Sequence, residues 1–375
     1  MSSQLQLPLP ASPLPPLSPK RFVEQLLAWY AQRRRSLPWR VGRNAYRVWL
    51  SEVILQQTRV AQGLPYYERF VAAYPTVAEL AAAPQQQVLR LWQGLGYYTR
   101  ARKLHECAAY VARELGGIFP KRYAQLCKLP GVGPYTAAAI ASIVHDEAVP
   151  VVDGNVYRVL ARLFGLQDDI STSAGQQRCR TLAAALLPAQ GAGRYNEALM
   201  EFGALQCTPK RPACGSCPFV RHCVAHHQGK VAALPVKGRR VRLRKRYFHY
   251  LVLQGGDGLY LRQRQGSDIW QGLYEFYLVE SALGALPFEA LQDELAVALH
   301  GYGVVPQQLQ PRSPHQLTHQ RIYTTFFSVQ LPAALEASGQ LQAYGLAPYR
   351  KAQWEALPKP VLVARYCSEA LVDIP

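Results

Sequence analysis

The sequence contains no uncharged run of about 18 strongly apolar residues that is free of glycine and proline, so no membrane span is expected. Its first residues, MSSQLQLPLPASPLPPLSPK, lack the basic end and the apolar stretch of a secretory signal peptide. The prolines in this segment predict a disordered leader over residues 1–20. Together these absences predict a cytoplasmic protein that does not associate with membranes.

Acidic residues are scarce, since 24 Asp and Glu stand against 42 Lys and Arg. Such a charge balance favours a polyanionic partner, because Lys and Arg side chains replace the counterions along a phosphate backbone. Charge alone does not identify nucleic acid as that partner, because many basic proteins bind none.

The eight cysteines are unevenly spread, and four of them fall within 17 residues: Cys207, Cys214, Cys217 and Cys223. In a cytoplasmic chain such a cluster indicates a metal site rather than a disulfide framework. A zinc ribbon usually has two short Cys-x2-Cys knuckles well apart in the sequence. The spacing C-x6-C-x2-C-x5-C suits zinc or a cubane iron–sulfur cluster and by itself favours the cluster only slightly.

The first two-thirds of the chain has the apolar spacing of helices. FVEQLLAWYAQ is amphipathic, YRVWLSEVILQQTRVA is apolar on nearly all sides and predicts one buried helix, and TVAEL carries a capping box. Further helices are predicted over about 100–115, 136–144, 155–164, 174–187 and 195–206.

The pattern changes near residue 230. Residues 237–246 hold seven cations in ten positions, which is typical of an exposed linker or the entry to a strand. RYFHYLVLQ and GLYLRQR, separated by GGDG, predict a β-hairpin, and strands LYEFYLV and TTFFSVQL flank a predicted helix over 288–299. The sequence therefore predicts a multidomain protein: a leader over 1–20, an all-α domain over 21–230, a basic linker over 231–246 and an α+β domain over 247–375.

The segment LPGVGPYTAAAI at 129–140 predicts a tight turn that leads into a helix. Gly131 and Gly133 permit a close approach of the backbone to another molecule, and Val132 lies between them. The unpaired N–H groups at the start of a helix form a natural seat for a phosphate. The alternative is an ordinary helix–turn–helix in which glycine serves packing.

Two carboxylates stand out. Glu52 has mostly apolar neighbours at helical spacing, so burial is expected to raise its pKa and keep it protonated near neutral pH. Asp153 precedes a predicted helix, whose N–H groups and dipole would hold it ionised. The simpler interpretation of Glu52 is a buried glutamate paired with an arginine. The simpler interpretation of Asp153 is a helix N-cap with a purely structural role. One protonated acid and one carboxylate are also the pair that glycosidic cleavage requires.

The hairpin followed by Asp153 resembles that of the helix-hairpin-helix DNA glycosylases. SLPWR, VWLSEVILQQTRV, LWQGLGYYTRARKL, VVDGNVYRVLAR and YNEALMEFGALQCT resemble further blocks of that superfamily in their usual order. In the endonuclease III branch a Schiff-base lysine occupies the position of Tyr135. With a tyrosine at this position, the sequence resembles the adenine DNA glycosylase (MutY) family, whose members lack this lysine. The resemblance implies base removal without efficient strand cleavage.

The resemblance assigns roles to individual residues. Glu52 would protonate adenine, Asp153 would stabilise the developing sugar cation, and Tyr135 and Asn155 would steady the sugar and the catalytic carboxylate. Gln57 and Tyr97 would intercalate into the DNA. The adenine pocket would be lined by Arg35, Leu37, Trp39, Arg40 and Glu197. The cysteine spacing matches the [4Fe–4S] loop of this family, so a [4Fe–4S] cluster is expected within residues 207–223.

The C-terminal part is similar to the Nudix-like module with which adenine glycosylases recognise 8-oxoguanine, through DIWQGLYEF at 268–276 and HQLTHQRIY at 315–323. Leu317, Thr318 and His319 align with the lesion-reading Phe-Ser-His loop of that family. The segment 288–299 lacks the Arg-Glu-x2-Glu-Glu core that binds Mg²⁺ in Nudix hydrolases. A binding module is therefore expected, not a pyrophosphatase.

These resemblances predict a monomeric, bacterial-type, nucleoid-associated enzyme that acts on double-stranded DNA with adenine opposite 8-oxoguanine or guanine. Two other functions are compatible with parts of the sequence. A bifunctional glycosylase and lyase for oxidised pyrimidines is disfavoured by Tyr135 and by the additional domain. A non-catalytic iron–sulfur protein that binds DNA is disfavoured by the presence of both Glu52 and Asp153.

Overall fold

The computed structural model describes residues 17–238, 243–256, 258–308 and 313–371, which group into two compact units. The first unit contains residues 17–81 and 106–238, and the second contains residues 82–105 and 243–371. The sequence predicts one uninterrupted helical domain over 21–230, whereas residues 82–105 group with the C-terminal unit. Most of the predicted leader and part of the predicted linker, residues 1–16 and 239–242, lie outside the described residues.

The first unit is helical, as predicted. Its helices are α1 (Pro19–Arg33), α2 (Ala45–Leu55), α3 (Val60–Ala73), α4 (Val77–Ala82), the second part of α6 (Thr99–Glu114), α7 (Tyr123–Leu126), α8 (Pro134–His145), α9 (Gly154–Phe164), α10 (Ser173–Leu186), α11 (Ala192–Leu205) and α12 (Val224–His227). None of the described helices is both long enough and apolar enough to cross a bilayer.

Helices α1, α9, α10 and α11 share one hydrophobic core. Phe22 and Leu26 of α1, Leu160 of α9 and Phe202 of α11 are almost inaccessible to solvent in it. On each of these helices, the residues of the core recur at spacings of three or four, so each helix turns one apolar face inward. The core fixes α9 and α11, and these helices carry several of the candidate site residues.

Two sequence predictions in this unit need correction. The segment 46–61 is not one helix, because α2 ends at Leu55 and α3 begins at Val60. The chain folds back there, and Gly63 of α3 packs so closely on α2 that an added Cβ would lie 2.7 Å from Leu55 Cδ2. At the start of the chain, α1 begins at Pro19 with the Ser18 hydroxyl capping it, so residues 19 and 20 belong to a helix and not to a leader.

The second unit combines helices with a mixed sheet. Its helices are α5 (Gln85–Trp92), the start of α6, α13 (Glu294–Gly301), α14 (Ala333–Ala337), α15 (Gln340–Ala343), α16 (Lys351–Ala356) and α17 (Val361–Ala370). Its strands are β1 (Arg244–Gly255), β2 (Gly258–Gln263), β3 (Tyr274–Glu275), β4 (Tyr277–Ser281), β5 (Gln307–Gln308), β6 (His315–Gln316), β7 (Gln320–Gln330) and β8 (Ala347–Tyr349).

Strands β1 and β7 pair in parallel along most of their length at the centre of the sheet. The order of the main path is β3-β2-β1-β7-β5. The predicted β1–β2 hairpin is confirmed by antiparallel pairing of Gln254 with Leu259, while Asp257 of its turn lies outside the described residues. This unit has its own core, in which Leu251 and Leu253 pack with Phe327 and Val329.

Two elements of this unit differ from their predicted extent. The strand expected over 273–279 is interrupted at Phe276, which is fully buried between β3 and β4. The helix expected over 288–299 is a short 3-10 turn, Phe288–Ala290, followed by α13. Helix α13 starts late because the Asp293 side chain caps it, accepting from the N–H groups of Leu295 and Ala296.

Candidate active site

The centre of the candidate site is a contact between helices α2 and α8. Glu52 on α2 is only 8% exposed. Tyr135, in the first turn of α8, donates its hydroxyl hydrogen to Glu52 Oε2 at 2.5 Å and lies 3.7 Å from Met200 Sδ. Val48 and Trp49, two of the apolar neighbours that the sequence places at helical spacing from Glu52, are buried on the same helix.

The environment raises the pKa of Glu52 to about 7. Burial is the largest cause, because removal from water penalises the charged form. The hydrogen bond from Tyr135 and the positive charge of Arg40 act in the opposite direction, while the negative charges of Asp153 and Glu197 raise the pKa further. Glu52 is therefore a carboxylic acid that can hold a proton close to neutral pH.

Asp153 caps the start of α9, as predicted. Its Oδ1 accepts from the backbone N–H groups of Asn155 at 2.9 Å and Val156 at 2.8 Å, and its Oδ2 accepts from Asn155 Nδ2 at 2.6 Å. Burial raises the pKa of Asp153, and these three hydrogen bonds together with the charge of Arg158 oppose that rise. Each of the three bonds favours the carboxylate over the acid, which is the charge state expected of this residue.

The fold brings Glu52 and Asp153 into one site, although they are distant in the sequence. The charge of Asp153 acts on the Glu52 carboxyl group. Tyr135 senses both, since burial, then the charge of Glu52, then that of Asp153 raise the pKa of its phenol well above the ordinary value. Tyr135 therefore remains protonated and serves as the hydrogen-bond donor to Glu52.

Next to this pair lies a cluster of arginines and glutamates. Arg40, in the 3-10 turn Pro38–Arg40, is 3.5 Å from Glu197 and donates to Glu201 Oε2 at 2.8 Å. Arg35 donates to Glu201 through its backbone N–H at 2.9 Å, Nε at 2.9 Å and Nη2 at 2.7 Å. Together with Arg40, these donors lower the pKa of Glu201 to about 2, although burial acts to raise it.

Glu201 is not among the pocket residues that the sequence predicts. A signal was present, because Glu201 follows Glu197 by four residues and therefore lies one turn further along the same face of α11. The predicted pocket residues Arg35, Arg40 and Glu197 do come together in the structure. Burial raises the pKa of Glu197, against the opposing charge of Arg40.

Leu37 and Trp39 are almost completely buried. The Trp39 ring packs edge-on against Tyr67, with 5.1 Å between ring centroids. The two side chains therefore form an apolar wall beside Arg40 rather than an exposed surface.

Gln57 and Tyr97, the two residues expected to intercalate, have the same unusual backbone conformation. Their φ angles are 57° and 49°, in the left-handed region that residues other than glycine seldom adopt. Gln57 is exposed in the turn between α2 and α3, and not on a helix as the sequence predicted. Tyr97 is 44% exposed immediately before α6. Each side chain therefore projects from a strained turn.

The turn before α8 agrees with its predicted shape but not with every predicted role. Gly131 and Gly133 are exposed, and Gly131 has φ 70°, which explains the need for glycine there. Val132 instead buries its side chain and donates its N–H to Leu129 O at 3.1 Å. The proposed phosphate contact therefore needs correction at Val132, whose N–H closes the turn.

The four clustered cysteines line one cavity at the end of α11, together with Arg162 and His226. None of the eight cysteines, all of which lie within the described residues, forms a disulfide. Within the described parts of the chain, no group of three or more His, Cys, Asp or Glu side chains is placed to hold a single metal ion. The donor set of the cavity is four cysteine sulfurs, which suits a cluster with thiolate ligands. The Arg162 guanidinium lies 3.6 Å from Cys207 Sγ, where its positive charge would favour a thiolate.

Arg158 joins the cysteine loop to the Asp153 site. Its Nε donates to Cys207 O at 2.7 Å, and its Nη2 donates to Asn155 Oδ1 at 2.8 Å and Gly203 O at 2.7 Å. Asn155 in turn donates to Asp153. A continuous chain of hydrogen bonds thus runs from a cysteine of the loop to the candidate catalytic carboxylate.

In the second unit, the predicted lesion-reading residues form the tip of the hairpin between β6 and β7. Leu317 closes the tip by donating its N–H to Gln320 O at 2.8 Å. The hydroxyls of Thr318 and Tyr97 are hydrogen-bonded to each other. The tip, Trp270 and residues 95–99 line a cavity of about 300 Å³ within this unit.

Comparison with known proteins matches both parts of the chain to known families. Residues 50–184 match the HhH-GPD superfamily of base excision DNA repair proteins, and residues 249–369 match the NUDIX domain. Adenine DNA glycosylase from Buchnera aphidicola subsp. Schizaphis graminum is 32% identical over 256 residues, spanning 68% of this chain and 74% of that protein. The chain belongs to the adenine DNA glycosylase (MutY) family. The predicted family and fold class are thereby confirmed.

In some other relatives of this family, the match to this chain covers a smaller share of the relative's own length. Adenine DNA glycosylase from Rattus norvegicus is 46% identical over 226 residues, which is 57% of this chain and 44% of the rat protein. Among solved structures, a thermostable thymine-DNA glycosylase aligns with a TM-score of 0.51 and 28% identity, covering 56% of this chain and 97% of the other.

Proposed function

We propose that this protein is a monofunctional DNA glycosylase that removes adenine opposite 8-oxoguanine or guanine and so initiates base excision repair. The observation that carries the proposal is the pairing of a buried acid, Glu52, with a hydrogen-bonded carboxylate, Asp153, in one site. The partner is double-stranded DNA with one of these mispairs. We expect a monomer acting on the nucleoid in the cytoplasm.

In the proposed reaction, Glu52 acts as the general acid. Adenine leaves poorly as an anion, so a proton donated to the base weakens the N-glycosidic bond. With a pKa of about 7, a substantial fraction of Glu52 carries that proton at neutral pH and can give it up readily. Arg35, Arg40 and Glu197, beside the apolar wall of Leu37 and Trp39, would hold the base against it.

Asp153 supplies the negative charge for the second half of the reaction. As the base departs, positive charge develops on the sugar, and a fixed carboxylate stabilises that charge. The bonds from Asn155 orient Asp153 before the reaction begins, so little reorganisation is needed. A water molecule then completes the hydrolysis.

Tyr135 determines how the reaction ends. Its phenol has no amine with which to form a Schiff base, so the sugar is not captured and the strand is left intact at an abasic site. The same hydroxyl steadies Glu52 through the 2.5 Å bond.

Removal of a base from a duplex requires that the base be extruded, because it is otherwise stacked and paired. The exposed positions of Gln57 and Tyr97 on strained turns support their role as side chains that enter the stack. Backbone at Gly131 and Gly133 is open to solvent, which supports a phosphate contact there. Leu317, Thr318 and His319, at the tip of the β6–β7 hairpin, would read 8-oxoguanine.

Cys207, Cys214, Cys217 and Cys223 would hold a [4Fe–4S] cluster. Such a cluster, when bound, supplies four iron–thiolate links that cross-link the loop 207–223. Metal analysis of the purified protein tests this assignment. Iron and sulfide in the protein are expected, and a folded, active protein that contains only zinc would contradict the assignment.

A single assay separates the three candidate functions. Two kinds of duplex, one with adenine opposite 8-oxoguanine and one with an oxidised pyrimidine, are labelled on the strand that carries the target base and incubated with the protein, and half of each sample is then treated with alkali. Breaks that need alkali support the proposed monofunctional enzyme, and breaks without alkali support a glycosylase with lyase activity. The absence of breaks in both halves supports a non-catalytic protein. Glu52→Gln and Asp153→Asn are the inactive controls.

A further inference from the structure

Glu201 has an unusual environment for a carboxylate. It is 1% exposed, yet it bears a charge, and its two oxygens accept hydrogen bonds from four nitrogen atoms. Three of these nitrogens belong to Arg35 and the fourth to Arg40. A buried carboxylate is tolerated when it is fully paired, so the glutamate and the two arginines stabilise one another.

The three side chains form a rigid unit. The Arg35 guanidinium approaches Glu201 through Nε and Nη2, which is the two-point geometry that best fixes a planar guanidinium. Arg40 is held by its bond to Glu201 Oε2, and its Nη1 also donates to Arg35 O at 3.1 Å. One carboxylate therefore sets the positions of both arginines.

We propose that Glu201 is a positioning residue of the adenine pocket, which holds Arg35 and Arg40 in place and keeps Arg40 from pairing with the catalytic acid. The proposal rests on the function proposed above, since it assigns Arg35 and Arg40 to that pocket. Glu201 touches neither base nor sugar in this scheme and acts through the two arginines.

The effect on Glu52 follows from the charges around it. The groups that face Glu52 are Arg40 from the turn Pro38–Arg40, Tyr135 from α8, Asp153 from the start of α9 and Glu197 from α11. Arg40 is the cation among these groups. Without Glu201, Arg40 would lose its 2.8 Å bond and be held less firmly by its remaining contacts with Glu197 and Arg35 O, so its charge could act more strongly on the Glu52 carboxylate and stabilise the charged form. Glu52 would then lose its proton at a lower pH.

The test is Glu201→Gln, which keeps the shape of the side chain and removes its charge. The excision rate is measured in single turnover with enzyme in excess over a duplex containing adenine opposite 8-oxoguanine, at a series of pH values. We expect the rate to fall about tenfold to a hundredfold, as for a misplaced pocket side chain. We also expect the alkaline fall in rate to begin at lower pH than in the unmodified protein.

Glu275→Gln is the matched control. Glu275 is also 1% exposed and also pairs with an arginine, Arg264, at 2.9 Å, but it lies in the second unit outside the proposed catalytic machinery. This variant is expected to lower the melting temperature while leaving the rate and its pH dependence unchanged. It therefore measures what the loss of a buried ion pair does by itself.

Glu201→Asp carries the test if Glu201→Gln fails to fold. The shorter side chain retains the charge, so the alkaline fall is expected at its usual pH, while the rate is lower because the arginines shift. The proposal is overturned if the folded variants keep the full rate. It is also overturned if Glu201→Gln loses rate with its alkaline fall unmoved. Failure of the proposed function is distinguishable, because the unmodified protein would then release no adenine.

Discussion

The Tyr135 hydroxyl donates to one oxygen of the Glu52 carboxyl group, at 2.5 Å from Oε2. Two donors cannot face each other across a hydrogen bond, so the proton that Glu52 carries lies on the other oxygen, Oε1. That proton is the one available to a substrate base. The contact between these two residues thus decides which oxygen acts as the acid.

The first prediction concerns pH. Because Glu52 must be protonated and its pKa is about 7, the single-turnover excision rate is expected to fall as pH rises through about 7. At low pH the rate is expected to fall as well, because Asp153 must be ionised and burial raises its pKa. A rate that stays constant from pH 6 to pH 9 would exclude Glu52 as the acid.

The second prediction concerns stability. The folded-state pKa of Glu52 is raised from 4.5 to about 7, so the folded protein binds the proton more tightly, and its free energy of unfolding falls as pH rises through that window. Glu52→Gln removes this penalty. At pH 8 we expect it to be inactive yet more stable, on the order of 2–3 kcal/mol.

Thermal unfolding at pH 5 and pH 8 measures this effect, and the gain should be larger at pH 8. Glu275→Gln serves for comparison, because Glu275 pairs with Arg264 and its loss should destabilise the protein at both pH values. Equal melting temperatures for Glu52→Gln and the unmodified protein at pH 8 would contradict the raised pKa.

The third prediction concerns strand cleavage. Tyr135→Lys places an amine beside Glu52 and near Asp153, where it can attack the sugar. We expect the variant to form an adduct with DNA that borohydride traps. Tyr135→Phe, which lacks both hydroxyl and amine, is the control and should give no adduct. If Tyr135→Lys excises adenine but traps nothing, position 135 does not face the sugar.

The fourth prediction concerns Arg158, which contacts both Cys207 and Asn155. Arg158→Ala should release Asn155 and the cysteine loop together. We expect an excision rate about a hundredfold lower, and less iron per protein after purification.

A surface arginine provides the control for this experiment. Arg178 is about half exposed and lies 3.4 Å from Asp168, so Arg178→Ala should change neither rate nor iron content. Unchanged excision and iron in Arg158→Ala would show that the chain of hydrogen bonds has no functional role.

The fifth prediction concerns lesion preference. Thr318 is hydrogen-bonded to Tyr97 beside the 300 Å³ cavity. Thr318→Ala should lower the preference for 8-oxoguanine over guanine opposite adenine, while adenine removal opposite guanine persists. Point variants suit this test better than truncation near residue 235, because residues 82–105 group with the C-terminal unit. An unchanged preference would remove the β6–β7 hairpin from lesion reading.

Local features of the fold, such as helix caps and turns, could be predicted from the sequence because they depend on residues that are close together in the chain. The capping of α9 by Asp153 involves N–H groups two and three residues away, and the turn at Gly131 needs a conformation that glycine alone adopts easily. The two-part fold class followed from periodicity that changes near residue 230. The break of the predicted helix at Gln57 was missed, since apolar periodicity does not reveal where a chain folds back.

The amino-acid sequence by itself determined which chemical groups are available: a glutamic acid on an apolar helix, an aspartate at a helix start, a tyrosine without an amine, and four thiols in one loop. The tertiary structure alone decided their state. Desolvation raises the pKa of Glu52, whereas pairing with two arginines lowers the pKa of Glu201 and keeps it ionised. Both effects depend on side chains that are far apart in the chain. The local sequence pattern cannot specify which side chains become neighbours. The packing of α2, α8, α9 and α11 specifies them.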